Sequence, residues 1–220
     1  MMSTNPSKAR DRAYESFTER LLSREIKPGQ FVSQRELTEI TGMPLGAIRE
    51  LIPRLEAEGL ITTVPQRGMQ VAHVDLTLIR NAYQFRLFLE TQATALFVRA
   101  ASDETIAQLR AAHEDIIRRA EAGESQTLIA DAEATDRLLH ETIVDHLGNE
   151  IISNAYRVNW IKIKLIRRNE TSLYSELVIP VMRDHLAVIA ALERRDEAAA
   201  VEAMSFHINQ SRTRALDIEQ

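Results

Sequence analysis

Four side chains in the sequence are of types that hold metal ions: Asp136, His140, His185 and His207. Asp136 and His140 lie four residues apart in an amphipathic run, and on an α-helix that spacing puts both on one face. His185 and His207 stand eleven residues before and eleven after Asp196. The segment Glu193–Asp196 reads as a turn, so an antiparallel helix hairpin bending there would bring both imidazoles to the same height. Three imidazoles and one carboxylate converging inside a helical bundle would form a metal site. Imidazole nitrogen suits Zn, Ni, Cu and Fe, and the carboxylate offsets part of the charge. Four protein ligands leave a position open only if the ion is five- or six-coordinate, and a water or a small carboxylate would fill it.

The remaining histidines read differently. His73 is expected at the surface. His113 falls in a charged stretch and is expected to be solvated. His146 lies near a helix end, where an imidazolium suits the helix dipole. The four-residue set also admits an alternative, a metal-dependent hydrolase or lyase, because an ion with an open position can activate water. Against that alternative, His140-Glu141 is not followed by the second histidine of an HExxH pair, the next being His146. No nearby carboxylate offers itself as a general base and no Gly-rich phosphate loop exists, so no catalytic residue is assigned.

The elements that must position these groups follow from composition and period. The 220 residues are 45% hydrophobic and only 5% aromatic, enough for one large domain or two smaller ones with a mostly aliphatic core. With no cysteine, disulfides, thiolate ligands and a cysteine nucleophile are excluded, and any metal is held by nitrogen and oxygen. The opening residues MMSTNPSKARDR are polar and lack the apolar run of a secretory signal, and no stretch approaches membrane-spanning length. A cytoplasmic protein with no membrane partner is the expectation. The net charge of −5 is uneven: residues 1–74 hold ten Lys/Arg against nine Asp/Glu, the rest seventeen against twenty-three.

Five of the seven glycines and five of the six prolines lie within residues 1–68, so the start is turn-rich and the remainder is long helix. A helix is expected over about 7–24, with Ala13, Phe17, Leu21 and Leu22 on one face. Ser33 with Glu36 makes a capping box for a short helix ending at Gly42. A second helix runs from about Pro44 to Gly59, and Pro53 within it predicts a kink or a 3₁₀ distortion. ITTV, a PQRG turn and MQVAHV then read as a two-stranded hairpin. Helix, helix-turn-helix, hairpin is the winged-helix order. Helices are expected next over 76–100, 103–121, 126–147, 149–170, about 173–194 and 196–217, with Asp75 and Ser102 as N-caps and Gly123 and Gly148 as stops. Pro180 either opens a helix starting near Val178 or kinks a longer one.

The run SQRELTEITGMPLGAIRELIPRLEAEGLITTVPQRGMQV resembles the N-terminal winged helix of GntR-family bacterial transcription regulators. Arg35, Glu36 and Leu37 match its first element, Ile48, Arg49, Glu50, Arg54, Leu55, Glu58, Gly59 and Leu60 its second, and Arg67 and Gly68 its wing. A helix fits the major groove, where residues at its N-terminal end reach base edges. Arg49 could grip a guanine edge or a phosphate. Arg35 could reach the backbone or a base, and Arg67 with Gly68 forms a narrow hairpin tip. The chain departs from the family at Pro44-Leu45-Gly46-Ala47, where an arginine is usual. Leu45 offers only apolar contact there, for instance to a thymine methyl beside Gly46, so an unusual operator is expected.

Residues 76–216 resemble the FCD domain, the all-helical ligand-binding domain of the FadR subgroup of those regulators. The matching pieces are Arg86-x-x-x-Glu90, Asp136-x-x-x-His140, Gly148-Asn149, His185 and His207. The resemblance implies a divalent metal, zinc or nickel, on Asp136, His140, His185 and His207. It also implies an effector-facing role for Arg86, which would pair with an anionic ligand; its other reading is a surface salt bridge to Glu90. The expected fold is mainly α: a winged helix-turn-helix with a small β-hairpin wing over 1–74, then an all-helical FCD bundle of about six helices over 75–220. The expected function is a homodimeric repressor on double-stranded operator DNA, released by a small organic or sugar acid. A ligand sensor that has lost DNA binding is a further alternative, prompted by Leu45 and Pro53.

Overall fold

Spacings of three and four residues decide which helix faces are buried. In α1 (Pro6–Leu22), Ala13, Phe17 and Leu21 recur at four-residue intervals and are fully buried. The computed structural model describes residues 6–124, 127–167 and 174–217. The chain divides into two compact units, Met1–Leu78 with Trp160–Ile166, and Ile79–Asn159 with Arg167–Gln220.

In the first unit the helix α2 (Gln34–Thr41) begins at the expected capping box. Ser33 Oγ accepts from the Glu36 N–H at 3.2 Å, and Glu36 accepts from the Ser33 N–H at 2.7 Å. Gly42 ends the helix in the left-handed region with φ 67°. Pro44 precedes α3 (Leu45–Ala57), which turns Ala47, Ile48, Leu51 and Leu55 into the core. The expected 3₁₀ distortion at Pro53 is not found: the α-helix continues through it. Pro53 sits on the exposed face, where water can take the Arg49 carbonyl that has no donor in the helix.

The wing has one strand more than expected. β1 (Phe31–Val32), β2 (Ile61–Val64) and β3 (Gly68–Val71) form an antiparallel sheet in the order β1-β3-β2. Val32 pairs with Met69, and Val64 with Gly68. Gly68 has φ 95°, and a Cβ there would stand 3.0 Å from the Val32 carbonyl oxygen, so β1 can approach only a glycine. The core joins Phe17, Leu37, Ile48, Leu55 and Val71, with Leu165 from the 160–166 stretch packed into it.

Six further helices follow among the described residues, α4 (Leu76–Ala100), α5 (Asp103–Glu121), α6 (Leu128–Asp145), α7 (Glu150–Arg167), α8 (Tyr174–Glu193) and α9 (Glu197–Asp217), and they make up the second unit apart from the start of α4 and the 160–166 stretch of α7. Asp75 accepts from the Leu78 N–H at 2.7 Å and Ser102 from Thr105 at 3.1 Å, the two expected caps. Pro180 lies inside α8, and of its two readings the longer helix is the one observed. Residues 126, 168–170 and 173, which the expected helices included, lie outside the described residues. α8 packs against α5, α6 and α9. Its link to α9 is short: Arg195 takes φ 55°, and Asp196 caps α9 by accepting from the Ala199 N–H at 3.0 Å.

Candidate functional site

The buried stripes of α6, α8 and α9 carry the four predicted ligands. Asp136 and His140 fall in phase with Ala132, Leu139 and Ile143 on α6. His185 follows Val178 and Met182 on α8, and His207 follows Ala200 and Met204 on α9. One ligand atom from each of the four lies within 4.8 Å of all the others. His185 Nε2 is 3.2 Å from His207 Nε2 and 3.5 Å from an Asp136 carboxylate oxygen, and His140 Nε2 is 4.0 Å from that same oxygen. The three imidazoles are fully buried and Asp136 is 3% exposed.

Each imidazole has a partner on its outer side. Glu90 Oε2 lies 2.7 Å from His140 Nδ1. His113 Nε2 lies 3.1 Å from His185 Nδ1. Asp184 stands 3.8 Å from His207 Nδ1, an ion-pair distance too long for a direct hydrogen bond, and also meets Arg214 at 3.4 Å. His113 therefore corrects the expectation of a solvated side chain. It is fully buried, and with Ile106, Leu109 and Ile116 it forms a 3-4-3 spacing on α5, the period that identifies an inward face. His73 is exposed beside Asp75, and the exposed His146 sets its ring edge-on to Phe97, 5.0 Å between centroids.

Of the two readings of Arg86 the structure shows the ion pair, and it corrects where that pair lies. Arg86 does pair with Glu90, at 2.5 Å, but the pair is buried rather than on the surface: the side chains are 0% and 1% exposed. Arg86 Nη2 also stands 3.1 Å from His140 Nε2, which places a guanidinium beside the ligand cluster. Burial alone would raise the Glu90 carboxyl, but Arg86 and His140 outweigh it and hold the group down to about 2. Burial lowers His207 to about 4, aided by the neighbouring His140 and Arg86 and opposed by Asp184. His185 is pushed well below the ordinary imidazole value by burial and by His207, and burial lowers His113 too. Neutral imidazoles keep the lone pairs that a cation needs.

These residues fit a divalent metal ion held by nitrogen and oxygen. The donors are all nitrogen and oxygen, burial favours the neutral form of His185 and His207, and a carboxylate partner on His140 matches the way ligating imidazoles are oriented. The 3.2 Å between two ring nitrogens lies between the separations, roughly 2.9 and 3.4 Å, that donors about 2.0–2.1 Å from one ion take at octahedral and tetrahedral angles.

On the first unit, the residues expected at DNA lie on the exposed side. Arg35 is 89% exposed and pairs loosely with Glu39, four residues on, at 3.0 Å. Arg49, one turn into α3, donates to Gln34 Oε1 at 3.2 Å, tying the start of α3 to the start of α2. Leu45 is 40% exposed, and a Cβ at Gly46 would meet nothing within 4 Å. Arg67 stacks its guanidinium over the Phe31 ring at 4.3 Å, at the hairpin tip whose turn is closed by the Arg67 N–H on the Val64 carbonyl.

A three-stranded wing with a helix-turn-helix, followed in one chain by a helical unit that buries three histidines and an aspartate, has the make-up of a DNA-binding regulator. Residues 9–71 match the bacterial regulatory proteins of the gntR family and residues 81–210 match the FCD domain, and the chain belongs to the GntR family in its FCD-bearing form. It is similar to the Nta operon transcriptional regulator of Aminobacter aminovorans, 25% identical over 81% of this chain and 82% of that one. It is also similar to the HTH-type transcriptional repressor RspR of Escherichia coli (strain K12), 27% identical over 84% and 79%. Among solved structures, E. coli McbR/YncC shares the fold with a TM-score of 0.77 at 17% identity, covering 100% of both chains. Families and named relatives alike are transcription regulators, which sets aside the hydrolase or lyase alternative: the chain is not an enzyme.

Proposed function

We propose that this chain is a ligand-responsive repressor that releases operator DNA when a small organic or sugar acid binds in its second unit. The observation that carries this reading is the buried set Asp136, His140, His185 and His207, whose ligand atoms lie within 4.8 Å of one another. Residues 1–74 serve as the DNA-binding part and 75–220 as the effector part. Arg35, Leu45, Gly46, Arg49, Arg67 and Gly68 make the DNA contacts; the exposure of the arginines and of Leu45 supports this. Asp136, His140, His185 and His207 hold zinc or nickel, which when bound supplies a Lewis-acidic point for a carboxylate oxygen.

Arg86 supplies the second, organic cation for the effector. Its guanidinium already faces His140, and an incoming carboxylate would share it with Glu90. An effector shifts the helix arrangement only by as much as it binds one arrangement better than the other. A repressor reading is supported by the printed description of the relative RspR. Two recognition helices must meet half-sites about one DNA turn apart, so the working form is a homodimer. Large apolar side chains exposed on the second unit, Phe88 at 66% and Phe206 at 55%, are consistent with a second copy. Among the described residues no helix is long and apolar enough to cross a membrane, in keeping with action in the cytoplasm.

A thermal-shift screen of small carboxylates, with and without chelator, tests the reading. A carboxylate that raises the melting temperature only without chelator is the expected result. No stabilising acid, or stabilisation indifferent to chelator, would remove the metal from the sensing step.

A further inference from the structure

We propose that His113 positions His185 for metal binding by fixing its tautomer, through a relay that runs from the Leu109 carbonyl to the ligand cluster. The inference rests on the metal reading above. His113 lies on α5, outside the four-ligand set, and is fully buried. One of its ring nitrogens, Nδ1, stands 2.6 Å from the Leu109 carbonyl oxygen. A carbonyl only accepts, so Nδ1 carries a proton. The other, Nε2, stands 3.1 Å from His185 Nδ1. Two ring nitrogens at that distance share a single proton. A neutral His113 has already committed its proton to Leu109, so its Nε2 accepts and His185 Nδ1–H donates.

The consequence falls on the far side of the His185 ring. A neutral imidazole that donates from Nδ1 has a bare Nε2, and His185 Nε2 is the atom that faces His207 at 3.2 Å and Asp136 at 3.5 Å. The reverse proton order would require a doubly protonated His113 that is fully buried. It would also leave a neutral His185 with its proton on Nε2, where an ion needs the lone pair. Glu90 holds His140 Nδ1 at 2.7 Å in the equivalent place. His113 differs from Glu90 in orienting its ligand without adding a negative charge, so the relay sets direction while leaving the charge of the centre to Asp136 and Glu90.

The test uses the full chain labelled with ¹⁵N. Long-range ¹H–¹⁵N spectra of the chelator-treated protein report the His185 tautomer, and competition titrations report its affinity for Ni²⁺ and Zn²⁺. The wild-type spectrum is expected to show the proton on His185 Nδ1. His113→Leu removes the acceptor and is expected to mix the tautomers and weaken both metals roughly 10–100-fold. His113→Gln sets an amide oxygen near the former Nε2 and is expected to recover most of that loss. A wild-type proton on His185 Nε2 overturns the relay. So does a folded His113→Leu protein with unchanged affinity, or a glutamine variant that binds as weakly as the leucine one, since packing alone would then account for the residue. If the wild-type chain takes up neither metal, the metal reading fails, and the tautomer spectrum of the metal-free chain still decides the relay.

Discussion

A buried neutral imidazole resists protonation, and that resistance is felt by the whole fold. His207 titrates near 4 in the folded chain against 6.5 when unconstrained, with burial the main cause, and His185 and His113 are lowered as well. Between those values the unfolded chain binds more protons, so stability is fully present above about 6.5 and is lost as pH falls towards 4. Urea denaturation of the chelator-treated protein at pH 7.5, 6 and 5 is expected to show a loss that approaches about 1.4 kcal/mol per pH unit below 6.5 from His207, with His185 and His113 adding in the same direction. A flat profile over that range contradicts the buried cluster. Glu90, held at about 2 against 4.5, adds a second loss only below 4.5. Its pairing with Arg86 is desolvated, and removing one member strands the other. Arg86→Ala should therefore cost about 3–5 kcal/mol, read as a large fall in melting temperature, whereas a surface pair would cost under about 1 kcal/mol. Asp136, His140, His185 and His207 were legible because their spacing and the turn at Asp196 pair them two by two, and the FCD resemblance joins the two pairs. His113 was not, because its charged neighbours Arg110, Glu114 and Asp115 dominate the local composition; the phase it shares with Ile106, Leu109 and Ile116 is the better guide. The burial of Arg86–Glu90 was equally hidden, since an i,i+4 ion pair looks the same in sequence on either face of a helix.

Elements here are set by local signals wherever those signals are covalent or capping in origin. The Ser33–Glu36 box, the Asp75 and Ser102 caps and the left-handed Gly42 all stand where their residue types demand. Ser33→Ala should lower stability by about 1 kcal/mol in a denaturant titration and loosen the start of α2. If stability is unchanged, the box contributes nothing to the fold. β1 was illegible for a physical reason: two residues are too few to show alternation, and the strand exists only because β3 offers it partners at Gln70 and Met69. At Pro53 the 3₁₀ alternative fails, since a proline on an exposed helix face costs one hydrogen bond without requiring a 3₁₀ turn. DNA contact is expected at the exposed starts of α2 and α3. Arg35→Ala with Arg49→Ala should abolish binding to a duplex selected from a random pool, with Arg35 and Arg49 singly reducing the salt dependence. Undiminished binding by the double variant would place the DNA surface elsewhere.

At the scale of the whole molecule, membership of the GntR family with an FCD domain joins a winged helix-turn-helix and a helical domain in one chain. Neither composition nor net charge announces this: the chain is acidic at −5, and the winged part is only marginally basic. Motif and period carried the assignment, and what they could not carry is how occupancy of one unit changes the other. That coupling is what a repressor requires, and its size is bounded by the effector's preference between two arrangements. The most direct test is a fluorescence-anisotropy titration of the selected duplex in the presence of a carboxylate found to stabilise the protein, for the wild-type chain and for His185→Ala/His207→Ala. The wild-type chain should release the duplex, with an apparent Kd raised about 5–150-fold and the effect erased by chelator. The double variant should bind duplex and ignore the acid. An acid response of equal size in both proteins would contradict the account.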